Sequence, residues 1–271
     1  MVPSPPPPAV VEAFGATGQP SPLAGGQGIS WRAGDVVLKP LEADEGELAW
    51  QDEVLRSLAW DGFRIARLIR ARDGALAAEG WCAWTWVEGR HEAGRWPEIV
   101  AVGERFHAAL EGVPQPSFLV RRSTPWMIGD RVAWGELPVD ELPPVKHLPR
   151  LAAARRPVAA VSQLIHGDLT GNVLFADGLA PAIIDFSPYW RPPAYASAIV
   201  VGDALIWEGA DESLLAAVGH IQRFGQFLLR ALIMRAVVDR LFRPDEPMRP
   251  DIDDPFLPAV EIACRLAADA A

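Results

Sequence analysis

Three oxygen-bearing residues stand out by type and spacing: Asp168, Asn172 and Asp185. They lie in Leu164-Ile165-His166-Gly167-Asp168-Leu169-Thr170-Gly171-Asn172-Val173-Leu174-Phe175 and in Ile183-Ile184-Asp185-Phe186. Phosphoryl transfer needs such groups: a carboxylate beside an acceptor hydroxyl, and oxygen ligands that hold Mg²⁺ on the phosphates. Asp168 sits in a loop between helix and strand, a place suited to the first task. Asn172 opens one short apolar run and Asp185 closes the next, so a hairpin through Asp177-Gly178 would bring them together. Two hard oxygen ligands suit Mg²⁺, because water and phosphate fill its other positions. Lys39 is one of only two lysines among twenty-five basic residues, and it ends an apolar strand. Its ammonium is placed to pair with phosphates. Upstream, Ala24-Gly25-Gly26-Gln27-Gly28 offers backbone N–H groups that no side chain obstructs.

In this order, the segments resemble the aminoglycoside phosphotransferase and choline kinase family, small-molecule relatives of the protein kinases. The resemblance runs from the glycine loop near Gly25 to about Trp207. It implies a two-lobed, protein-kinase-like α+β fold, with ATP and Mg²⁺ as cofactors. By the same resemblance Asp168 is the catalytic carboxylate, and Asn172 and Asp185 hold metal. Gly25, Gly26, Gly28 and Lys39 grip the nucleotide phosphates, while Trp86 and Val87 belong to an interlobe hinge that meets adenine. His166 braces the catalytic loop, Asp203 anchors it from below, and His107 packs at a helix end. The partner of Lys39 is expected on the following helix, at Glu47 or Gln51 in preference to Glu53. One departure is plain: three residues separate Asp168 from Asn172, where kinases have four. A left-handed Gly171 would still let the shorter loop present Asn172. A catalytically weak nucleotide-binding regulator of the same fold is the alternative to an active kinase.

The expected acceptor is a small molecule. Arg121 to Trp134 and Ser187 to Tyr195 supply aromatic walls with four Arg and one Asp, which suits a ring-bearing or anionic ligand. A polycation site would be lined with carboxylates. The net charge of −10 argues against nucleic acid or an anionic membrane as partner. No P-loop is present, and Cys82 and Cys264 suggest neither a disulfide framework nor zinc spacing. No apolar run reaches membrane-span length and no signal-peptide pattern opens the chain, so a cytoplasmic location is expected.

Periodicity supplies the frame. Residues 1–8 read as a flexible Pro-rich tail, 9–86 as a nucleotide-binding lobe and 87–271 as a catalytic lobe. The first lobe reads as a short helix over Val10 to Phe14, then two strands around Ala33-Gly34-Asp35. A helix from Glu45 to Trp60 and a hairpin around Asp73-Gly74 complete it. The second reads as a helix from Trp96 to Leu110 and another from Leu148 to Val161 interrupted by Pro157. One long helix follows from about Asp211 to Phe242. Ser117 to Pro144, rich in Trp and Pro, gives no clear assignment.

Overall fold

The structure is a computed structural model that describes residues 4–24, 28–42, 44–59, 61–139 and 142–269. It begins with helix α1 (Pro8–Ala13), which starts on the last proline of the expected tail, a position that needs no helical N–H. Strands β1 (Ser21–Pro22), β2 (Trp31–Ala33) and β3 (Val36–Pro40) follow, the last two folded by the expected Gly34-Asp35 turn. Helix α2 (Glu45–Ser57) is capped by Asp44, whose side chain accepts the Glu47 N–H. Then come β4 (Arg64–Ile65), β5 (Leu68–Ile69), β6 (Ala77–Ala78) and β7 (Trp81–Thr85).

Helices α3 (Trp96–Ala109), α4 (Ser117–Arg121), α5 (Pro125–Trp134) and α6 (Leu148–Ala154) lead to strand β8 (Gln163–His166). Two short strands, β9 (Val173–Leu174) and β10 (Ala182–Ile183), flank the Asp177-Gly178 turn. After β11 (Pro188–Arg191) the chain is helical: α7 (Pro193–Trp207), α8 (Phe224–Phe242) and α9 (Leu257–Asp269).

The chain forms two compact units, Met1–Glu92 with Gly171–Phe186, and Ala93–Thr170 with Ser187–Ala271. In the first, β1, β2, β3, β7 and β5 lie side by side in a six-stranded antiparallel sheet whose remaining strand, β6, also pairs with β7. Val10 of α1 and Phe14 just after it pack with Trp31, Val36, Leu38 and Ala83 of this sheet. The β9–β10 hairpin belongs to this unit as well, because β10 pairs in parallel with β4. The sequence-based division assigned that hairpin to the lobe after residue 87.

The second unit is built on α8, buried along every residue from Phe224 to Val238. α5, α7 and α9 pack around it, and its buried polar residues, Gln226, Arg230 and Arg235, find hydrogen-bond partners on neighbouring segments. Two expected helices are shorter. α6 stops at Ala154 because Arg155 is extended ahead of Pro157. The long helix is split: Asp211 accepts the Ser213 N–H and starts a 3-10 turn over Glu212–Val218, and a left-handed Arg223 (φ 55°) precedes α8. α5, which composition left unassigned, has strong end signals. Thr124 accepts the Met127 N–H, Pro125 starts the helix, and a left-handed Gly135 ends it.

Candidate active site

In the first unit, β3 carries Lys39 to the end of the sheet, where its ammonium pairs with the carboxylate of Asp185. Asp185 follows β10 in a left-handed backbone (φ 52°), an uncommon conformation for a residue with a side chain. Its carboxylate is about half exposed, and Lys39 is mostly covered. Asn172 precedes β9, and its carbonyl accepts the Ile184 N–H at 3.0 Å. Asn172 and Asp185 therefore occupy the same end of one hairpin.

Gly171, immediately before, has φ 80°, and a Cβ there would meet nothing within 4 Å. The glycine answers a backbone need and not a crowding one. On α2, Glu47 and Gln51 are buried and Glu53 is exposed; Asp185 is an acid that meets Lys39. A different α2 acid, the buried Asp52, holds Arg56 and Arg70.

Trp86 and Val87 follow β7 and are partly buried. The Trp86 N–H donates to the Asp35 carbonyl at 2.8 Å, and its ring lies under the Arg32 guanidinium. Gly28 has φ 70°. Gly25 and Gly26 lie outside the described residues.

In the second unit Asp168 ends a relay of hydrogen bonds that starts on α3. The His166 N–H donates to His107 Nε2 at 3.1 Å, and the Asp168 N–H donates to His166 Nδ1 at 3.1 Å. Complete burial, and then the neighbouring His166, push the His107 pKa down to about 3. A neutral ring accepting at Nε2 carries its proton at Nδ1. His107, expected to be packing alone, thus supports the backbone that leads to Asp168, and the His166 ring accepts from the loop it was expected to brace. Tyr189 lies across Gly167, where a Cβ would sit 2.3 Å from the ring, so the residue before Asp168 must lack a side chain.

The sequence reading missed Arg235. From α8 its Nε donates to Asp203 Oδ1 at 2.7 Å and its Nη2 to Asp203 Oδ2 at 2.6 Å. The same Nη2 donates to Asp168 Oδ1 at 3.1 Å. Arg235 and Asp203 are 5% and 3% exposed, whereas Asp168 is 46% exposed and open to a ligand. Burial works against the Arg235 charge, but Asp203 and Asp168 outweigh it and hold the guanidinium ionised. The anchor role expected of Asp203 is therefore exerted through a cation. A signal for it was present: an arginine inside the apolar run Ala231-Leu232-Ile233-Met234-Arg235-Ala236-Val237 must find an acid.

Beside Tyr189 the second unit contains a cavity of about 470 Å³ between α4, α5 and β11. The Trp- and Arg-rich segments singled out in the sequence supply much of its wall. Among the described residues, no helix is long and apolar enough to cross a membrane.

Residues 29–228 match the phosphotransferase enzyme family. No curated protein matches the chain. Among solved structures, an aminoglycoside phosphotransferase from Alicyclobacillus acidocaldarius subsp. acidocaldarius DSM 446 is 17% identical with a TM-score of 0.60; the match covers 97% of this chain and 93% of that one. A thermostable mutant of the aminoglycoside phosphotransferase APH(4)-Ia, in ternary complex with AMP-PNP and hygromycin B, is 15% identical with a TM-score of 0.61, covering 97% and 98%. The choline kinase LicA from Streptococcus pneumoniae is 10% identical with a TM-score of 0.58, covering 93% and 94%. These neighbours carry the kinase-like fold: a small antiparallel-sheet lobe and a larger helical part.

Proposed function

Because the chain belongs to the phosphotransferase enzyme family, we propose that it transfers the γ-phosphoryl group of ATP, with Mg²⁺, to a hydroxyl of a small molecule. The pairing of Lys39 with Asp185 at the Asn172 end of the hairpin supports this reading most strongly. An amide oxygen and a half-exposed carboxylate are hard donors that fit Mg²⁺, so Asn172 and Asp185 would hold it. The ion, when bound, neutralises charge on the transferring phosphates. Lys39 binds phosphate oxygens, Gly25, Gly26 and Gly28 close backbone N–H groups over them, and Trp86 and Val87 orient adenine. In this reading residues 9–86 form the nucleotide lobe and 87–271 the catalytic lobe, apart from Gly171–Phe186, which belongs to the first unit. Asp168 orients the acceptor hydroxyl and takes its proton, and Arg235 and His166 fix the loop that presents it.

The deciding experiment incubates purified protein with ATP and Mg²⁺ against a library of small alcohols and measures ADP release. Acceptor-dependent release that vanishes in Asp168→Asn supports the kinase. Background hydrolysis with every acceptor, with nucleotide binding intact, would favour the regulator instead, for which the shortened Asp168–Asn172 spacing speaks.

A further inference from the structure

The cavity beside Tyr189 holds two carboxylates, Asp130 and Glu136, that would ordinarily attract a cation. Both are already paired with a cation. Arg191 on β11 donates from Nε and Nη2 to Asp130, the shortest contact being 2.6 Å. It also forks onto Glu136, from Nη1 to Oε1 at 2.6 Å and from Nη2 to Oε2 at 2.9 Å. Burial works against the Arg191 charge, but Glu136 and Asp130 outweigh it and keep the guanidinium ionised. The Trp134 ring faces the same guanidinium at 4.9 Å, fixing its plane. A second cation, Arg131, lines the cavity and donates to the Val120 carbonyl at 2.7 Å. Two acids and two guanidiniums thus balance in charge along this wall. The rest of the wall is largely apolar or aromatic, with Leu119, Met127, Leu137 and Trp190 among its members. Tyr189 connects the cavity to the catalytic loop, since its ring also covers Gly167 beside Asp168.

We infer that this cavity is the acceptor subsite and that it selects an uncharged, ring-bearing alcohol, because Arg191 occupies the carboxylates that an amine-rich acceptor would need. The inference rests on the proposed phosphotransfer at Asp168, but its test does not require turnover. A cation must compete with Arg191 for both carboxylates, and charge-assisted bidentate pairs of this kind are strong. An uncharged ring loses only loosely held water from apolar walls.

The test titrates spermine, and separately benzoate, into the full chain by calorimetry at fixed ionic strength. Wild type should show saturable binding of neither probe. Arg191→Met releases Asp130 and Glu136 into the cavity and should create a spermine site. Glu136→Gln removes a negative charge and one of the two acceptor oxygens, which frees one N–H group of Arg191 and should create a benzoate site; Glu136 is half exposed, so this variant reports even if Arg191→Met fails to fold. Saturable spermine binding to wild type that Glu136→Gln abolishes would overturn the inference. So would a failure of Glu136→Gln, or of a folded Arg191→Met, to acquire its probe. Wild-type stabilisation by ATP and Mg²⁺ is measured on the same samples. Its absence would count against the phosphotransferase reading and leave the charge selectivity of the cavity standing.

Discussion

Arg235 donates to Asp168 from the same nitrogen that holds Asp203, so one buried cation serves both the exposed catalytic-loop carboxylate and the buried anchor. In the proposed function this couples stability to chemistry at a single side chain. Arg235→Met strands Asp203 without its cation and should cost about 3–5 kcal/mol in urea unfolding. The double variant Asp203→Asn/Arg235→Met should recover much of that loss. Arg235→Lys keeps the charge but not the fork. It should lower kcat by roughly 10²-fold through misplacement of Asp168, with KM for ATP nearly unchanged.

Asp168→Asn keeps an oxygen for Arg235 but cannot accept a proton. Turnover should fall by about 10²- to 10⁴-fold while nucleotide binding persists. A steady-state assay paired with a thermal-shift titration separates the two effects, and equal loss of both would argue against a role in chemistry.

ATP with Mg²⁺ should raise the melting temperature. At a hundredfold excess over Kd the linkage is about 2.7 kcal/mol. Lys39→Ala and Asp185→Ala should each shrink the shift. Stabilisation by nucleotide that is indifferent to both substitutions would place the nucleotide elsewhere.

Gly171→Ala adds a methyl group that touches nothing, so its effect isolates the left-handed backbone. The expected cost is about 1–2 kcal/mol. If Asn172 holds metal, the Mg²⁺ concentration for half-maximal activity should rise as well.

His107 gives an acid dependence. Its pKa falls from 6.5 in the unfolded chain to about 3 when buried, so the unfolded state binds the extra proton first. The stability it permits is complete above pH 6.5 and is lost as pH falls toward 3. His107→Gln should flatten the pH slope of unfolding free energy within that window. An unchanged slope would mean that other groups set the acid response.

The site's short-range parts were legible because their spacing is local. His166 to Asn172 and the Asp177-Gly178 turn follow one another in the chain, and the turn alone brings Asn172 and Asp185 to one hairpin end. Long-range partners were not. Arg235 lies 67 residues from Asp168, on α8 and not on the loop that carries Asp168, so no local spacing announced the contact. α5 was hidden by its composition, since Trp and Pro obscure a helix whose cap residues, Thr124 and Gly135, mark it clearly. β4 is only two residues long, and nothing in Arg64-Ile65 names its neighbour. The structure pairs it with β10, beyond the sheet that its sequence position suggested.

The excursion of Gly171–Phe186 into the first unit means that neither unit is a continuous stretch of the gene. A fragment ending at Glu92 would leave β4 without its parallel neighbour and Lys39 without Asp185. A fragment starting at Ala93 would carry a hairpin cut off from the strand it pairs with. Exchanging acceptor preference between relatives by splicing at one junction would therefore break one unit or the other. A productive chimera must transplant 93–170 and 187–271 together and leave the sixteen residues between them in their native company, three junctions for one exchange.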